Sequence, residues 1–249
     1  MKKYVYDLKL DDIRLTKLSG AMRFNTYRYY EDGEDCDRSK TVLEIYDKLG
    51  WFNKDFVDLE PDTMFSPWVI ERLLLKKYDN DFYIKDYKKW IVEVKKLDYD
   101  NMSNSLAKHL RFEWLLLDRT VEHYSEIFSS PILNKFLENV HTIGNFWIVP
   151  KGHDAYKCKK FNDSPIKAIG DILRNFSLYR DKYSIFDKQE FLTKFILRFN
   201  PFIDYTITNK DSIEMIFKKL EHSNRFIEKR SSVILGRLNS FSHSVSGEL

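Results

Sequence analysis

Glycine and proline are scarce. Eight glycines and six prolines among 249 residues are too few for a β-sandwich of this length, because tight turns draw on those two residues. The shortage points to long helices. Cysteine is nearly missing as well: Cys36 and Cys158 supply neither a disulfide framework nor a zinc-ligand set. No apolar run approaches the roughly 18 residues that a membrane span requires. The opening Met1-Lys2-Lys3 is not followed by an apolar stretch, and Asp7, Asp11 and Asp12 come early, so no signal peptide is expected and the expected location is the cytoplasm. No charge sign prevails: 41 basic residues stand against 38 acidic ones, for a net charge of +3, which by itself does not point to a nucleic-acid partner. The glycines, at 20, 33, 50, 144, 152, 170, 236 and 247, never cluster. This excludes a phosphate-cradling loop and a dinucleotide fingerprint.

What is present is a globular composition, 43% apolar and 32% charged, in a chain long enough to bury its own core. Aromatic residues reach 16%, and most stand at core spacing as large fillers. Tyr4, Tyr6, Leu8 and Leu10 alternate and suggest a strand over 4–10. Ser66-Pro67, Ser130-Pro131 and Ser164-Pro165 read as helix starts, serine capping and proline fitting the first turn. Leu106, Leu110, Trp114, Leu117, Val121, Tyr124 and Phe128 recur every three or four residues and predict one helix from about Ser103 to Phe128. Ile143-Gly144-Asn145-Phe146-Trp147-Ile148-Val149-Pro150 lacks that period and reads as a buried extended segment. A helix is expected over Phe191–Phe199, stopped by Asn200-Pro201, and one long helix or two stacked ones over Asp211–Phe241. The expected class is mainly α, a single-domain multi-helix bundle over 1–249 with a minor β element at about 143–150. A lobe boundary, if there is one, belongs at 151–163.

The catalytic motifs are few. Asp81-Phe82-Tyr83-Ile84 followed by Glu93-Val94-Lys95 resembles the signature of restriction-endonuclease-like nucleases, an Asp on one strand and Glu-x-Lys on the next. In that arrangement Asp81 and Glu93 hold Mg²⁺ beside the scissile phosphate and Lys95 stabilises charge. Against it, Tyr83, Tyr87, Trp90, Val94 and Leu97 fall at helical spacing, and a helix places Glu93 and Lys95 on different faces. The helical reading is preferred, and with it no cofactor. The acidic stretch Glu31–Asp37 fails the calcium-loop register. His109 and Glu113 stand four apart without a second ligand pair, and Cys158 lies among Lys157, Lys159 and Lys160, a setting that favours thiolate. Each has an ordinary surface reading.

The last long helix carries Lys218, Lys219, Arg225, Lys229, Arg230 and Arg237. Such a stripe could touch phosphates; alternatively it is the solvated side of an amphipathic helix whose other side holds Ile213, Ile216, Leu220, Ile227, Ile234 and Leu238.

Several segments together resemble a family of uncharacterised bacterial and prophage proteins, a domain of unknown function. They are Tyr6-Asp7-Leu8; Asp35-Cys36-Asp37-Arg38-Ser39 with Leu43, Leu49 and Trp51; Thr142–Asn145 through Pro150; Ile169, Asp171, Phe176 and Leu178; Phe202-Ile203-Asp204-Tyr205; and Phe226–Arg230. Cys36 stands where the family tends to have proline, and Gly50 interrupts its Leu-Trp pair. The resemblance implies no activity, only a mobile-element or phage-conflict setting. The expected function is therefore non-catalytic binding of a partner, protein or nucleic acid, in that setting, with a Mg²⁺-dependent nuclease as the alternative.

Overall fold

Two helix starts fall where Ser–Pro pairs stand, at Ser130 and Ser164; Pro67 of the third pair lies outside the described residues. Ser130 accepts a hydrogen bond from the Leu133 amide at 3.3 Å and Ser164 from the Lys167 amide at 3.4 Å. Each is followed by proline in the first turn, where a missing N–H costs nothing. The computed structural model describes residues 40–51, 58–66, 69–78, 80–103, 110–111, 114–115, 117–140, 142–153 and 164–244. Within them run α1 (Lys40–Lys48), β1 (Leu59–Thr63), α2 (Val69–Lys77), α3 (Asn80–Glu93), α4 (Asp118–His123), α5 (Ser125–Phe128), α6 (Pro131–Asn139), β2 (Phe146–Pro150), α7 (Pro165–Arg174), α8 (Phe176–Tyr179), α9 (Lys188–Phe191) and α10 (Ile213–Ser244). The protein is mainly α with a minor β element, as its composition implied. The proposed strand at 4–10, the acidic stretch 31–37, His109, Glu113 and Cys158 lie outside the described residues.

The extended segment divides in two. Ile143–Asn145 forms a single 3₁₀ turn, and Phe146–Pro150 forms β2, every residue of it buried. Its partner, β1, has the sequence Leu-Glu-Pro-Asp-Thr, which carries no strand pattern. The two pair antiparallel, Leu59 opposite Pro150 and Thr63 opposite Phe146. Pro61 is tolerated because, among the described residues, the sheet has two strands and each is an edge. The buried Asp62 carboxylate accepts a 2.8 Å bond from Trp147 Nε1 directly across the pair. Asn145 extends the pairing with its side chain: Oδ1 accepts from the Phe65 amide at 2.9 Å, while Nδ2 donates to the carbonyls of Phe65 at 2.9 Å and Val140 at 2.7 Å.

α10, a single helix of 32 residues, lies against the 3₁₀ turn. The approach is so close that a Cβ built on Gly144 would stand 2.1 Å from the Ile227 carbonyl oxygen and 2.2 Å from Ser231 Oγ. Glycine is therefore required at 144 by contact rather than by backbone conformation.

Two helix expectations need correction. The stripe from Leu106 to Phe128 is not one helix. Leu117 is extended (φ −70°, ψ 144°) and Tyr124 breaks the helix again (φ −105°, ψ 36°). Leu115 lies off the stripe and is nevertheless buried, as are Trp114, Tyr124 and Phe128. One straight helix cannot turn all of these inward, and the breaks allow it. The segment 191–199 is not one helix either. Asp187 caps α9 by accepting from the Glu190 amide at 2.7 Å, and the helix widens into a π turn over Leu192–Ile196. It ends with Leu197 (φ 38°) and Arg198 (φ 61°), short of Asn200. Over 81–93 the preferred helical reading holds: the segment belongs to α3, in which Tyr87, Trp90 and Ile91 turn inward at helical spacing, in place of the strand pair that the nuclease arrangement needs.

One hydrophobic cluster runs from Val42 to Leu238 and includes residues on both sides of 151–163. Among the described residues, no helix is long and apolar enough to cross a membrane.

Candidate docking groove and charged cleft

The six basic residues of α10 part company. Lys219 turns inward. Its Nζ donates to the Thr206 carbonyl at 2.6 Å and meets Asp211 and Asp204, each at 3.0 Å. Burial pulls its pKa down, but the two carboxylates more than offset this and hold it above the ordinary lysine value.

Arg230 is fully buried. Its Nη1 donates to the carbonyls of Phe146 at 2.5 Å, Gly144 at 2.9 Å and Ile143 at 3.3 Å, and Nη2 donates to the Phe195 carbonyl at 2.7 Å. The guanidinium lies 5.2 Å from the centre of the Trp51 ring. Burial lowers its pKa to about 9, which leaves it charged at neutral pH.

Lys218, Arg225 and Lys229 remain exposed. They alternate with acids: Arg225 pairs with Glu221 at 2.6 Å, and Glu228 with Lys135 at 2.9 Å. Arg237, two turns beyond Arg230, donates from Nη2 to the Thr193 carbonyl at 3.3 Å. The two arginines thus hold carbonyls of the π turn, a local geometry that recurs at functional sites.

Arg237 also lines a groove of about 570 Å³, together with Leu173, Gln189, Leu192, Thr193, Leu197, Arg198, Phe199, Pro201 and Val233. The walls are largely apolar, and among the described residues the only charged lining groups are the two guanidiniums. One rim is the strained pair Leu197–Arg198, and left-handed backbone at consecutive non-glycine residues persists only where its surroundings enforce it. Beside the groove, the Phe202 amide donates to Asn200 Oδ1 at 3.0 Å, a turn that holds the backbone of a residue left 95% exposed. Phe186, just before α9, is 89% exposed, and Leu178 on α8 is 67% exposed. Single exposed apolar residues are ordinary, but a ring as exposed as Phe202, next in sequence to the groove-lining Pro201, is a candidate contact for a partner.

A second cleft, of about 300 Å³, lies between α3 and α4 and is lined by Asp86, Lys89, Glu93, Trp114, Arg119, His123 and Tyr124 among others. The Tyr124 hydroxyl donates to Asp86 Oδ2 at 3.1 Å, and His123 Nε2 stands 3.5 Å from the same oxygen. Burial, and then the adjacent Asp86 carboxylate, raise the Tyr124 phenol well above its usual value. It therefore serves as a neutral donor. Glu93, the last residue of α3, is exposed at this cleft. Lys95 stands 5.1 Å from the Trp90 ring centre. Asp81 lies at the start of α3, and its side chain is outside the described residues. Cations and acids are mixed here, so the cleft favours no ligand charge.

No protein-family model, curated protein or solved structure matches this chain.

The sequence reading missed the groove. Asn200-Pro201 was read only as a helix stop, and Phe202 only as part of a family resemblance. The available signal was an aromatic residue placed directly after an Asn-Pro turn, where no periodic face claims it.

Proposed function

We propose that the protein works by holding a protein partner, with the groove along α7, the π turn and α10 as its docking site. The observation that carries this is Phe202, an aromatic side chain almost wholly in solvent, carried on a turn whose backbone Asn200 holds, beside an apolar groove. Aromatic anchors dominate protein interfaces, and a backbone turn that is already formed lowers the entropy cost of presenting one. The outer face of α10, where cations alternate with acids, offers phosphates no continuous basic track. The phage-conflict setting rests on the family resemblance alone and belongs to the same proposal.

Affinity capture from the native host tests it, using wild type, Phe202→Ser, Phe186→Ser and Lys229→Glu. A partner held by wild type and Lys229→Glu but released by the two Phe changes supports the docking site. The Phe202 change should weaken binding by at least about 2 kcal/mol, roughly 30-fold. Capture that ignores both Phe changes refutes it, as does recovery of nucleic acid that is lost with Lys229→Glu.

A further inference from the structure

The groove has a charge preference. Among the described residues its two charged lining groups, Arg198 and Arg237, are both cations, and none of the lining is acidic. Arg237 commits Nη2 to the Thr193 carbonyl and keeps further N–H donors. Seven residues earlier on the same helix, Arg230 lies beneath the surface with carbonyl partners only, so its charge is not cancelled by a carboxylate. A groove bounded by low-dielectric apolar walls strengthens the field of such charges. Leu173, Leu192 and Val233 supply the apolar part of the lining.

On the reading that this groove is the docking site, we propose that it takes an amphipathic segment of a protein partner, one that seats an aliphatic side chain against Leu173, Leu192 and Val233 and directs a carboxylate to Arg198 and Arg237. Guanidinium groups present forked donors that match carboxylate oxygens. The partially desolvated site makes such a pair selective, because a segment carrying lysine or arginine instead meets like charge. Phosphates also satisfy guanidinium groups, but a nucleic-acid backbone has no use for the aliphatic walls.

Fluorescence polarisation with the full chain tests this. Three short labelled peptides share one leucine stripe and differ in whether glutamate, glutamine or lysine flanks it, and a short single-stranded DNA serves as a fourth probe. The glutamate peptide should bind about tenfold more tightly than the glutamine peptide, the lysine peptide weakest of all, and added salt should narrow the gap. Arg198→Glu, at an exposed position, should reverse the order. Arg237→Gln is the second variant, checked for folding by circular dichroism because it also loosens the Thr193 carbonyl. The inference is overturned by equal binding of all three peptides, by preference for lysine, by binding of the DNA alone, or by no binding of any probe. If partner capture still depends on Phe202 in any of those cases, the docking site stands and only its chemical preference fails. If capture is also indifferent to Phe202, the docking site falls with it.

Discussion

Replacing Gly144 with alanine inserts one methyl group where α10 and the 3₁₀ turn touch. The new carbon would stand 2.1 Å from the Ile227 carbonyl oxygen, 2.2 Å from Ser231 Oγ and 2.9 Å from the Ser231 amide nitrogen. Ser231 Oγ can rotate away. The other two atoms are helix backbone, so relief requires α10 to withdraw by roughly 1.5 Å to reach ordinary contact distances of about 3.5 Å. Overpacking of this kind costs about 1–3 kcal/mol. The same withdrawal draws Arg230, one residue before Ser231, off carbonyls now 2.5–3.3 Å away. Weakening one such charge-assisted bond adds about 1.5–3 kcal/mol. The expected loss is about 3–5 kcal/mol, a large share of the 5–15 kcal/mol typical of a folded domain. Urea unfolding followed by far-ultraviolet circular dichroism reads it as a lower midpoint. Gly236→Ala on the same helix is the control, because that site is exposed and a Cβ there meets nothing within 4 Å; it should gain about 0.5–1 kcal/mol. A Gly144→Ala loss below about 1 kcal/mol would show that the turn and helix are not in close contact.

Arg230→Met should cost at least about 3 kcal/mol, because it leaves four buried carbonyls without their donor; Arg230→Lys should recover less than half, having one nitrogen in place of a fork. A Met variant within about 1 kcal/mol of wild type in urea would remove the clamp from the account. Trp114→Ala should cost about 3–5 kcal/mol, since Trp114 is 3% exposed and sits edge-on to both Tyr87 and Tyr124; thermal unfolding checks this. Asp211→Asn should cost about 1.5–3 kcal/mol at pH 7. Burial raises the Asp211 carboxyl, but bonds from the Thr208 amide and from Lys219 outweigh that and hold it below its usual value. A depressed carboxyl stabilises the fold above its unfolded pKa of about 3.9, and this is lost as pH falls through the folded value. The difference in Tm between wild type and Asp211→Asn should therefore close below about pH 4, and a gap that persisted there would reject the ionic account.

The helical class was legible because glycine scarcity and the 3.6-residue period both report on local structure. So was the burial of the run from Ile143 to Pro150, which is apolar and lacks the helical period. β1 was not legible, because Leu-Glu-Pro-Asp-Thr becomes a strand only through β2, more than 80 residues away. The breaks at Leu117 and Tyr124 were hidden because an apolar stripe can persist through a helix that stops and restarts. Charge misled more than hydrophobicity did: Lys219 and Arg230 looked like parts of an exposed basic stripe, yet both are buried. Their partners, a pair of distant aspartates and four scattered carbonyls, leave no trace in the residue pattern of one helix. The groove was illegible for the same reason, since α7, the π turn and α10 supply its walls from three separate stretches.

The Arg230 clamp also sets an order in time. The Phe146 carbonyl and the guanidinium it accepts from are separated by 84 residues. At synthesis rates of 5–20 residues per second, the ribosome needs about 4–17 s to get from one to the other. Throughout that interval Phe146-Trp147-Ile148-Val149 has its strand partner β1 already made but lacks the helix that later covers it. Those four side chains form an apolar, β-prone run without charge, the kind of sequence that pairs with other chains when uncovered. Yield in a cell therefore depends on how that segment is shielded before Arg230 emerges, and changes that slow translation between residues 150 and 230 should lower the soluble fraction without altering the stability of the finished fold.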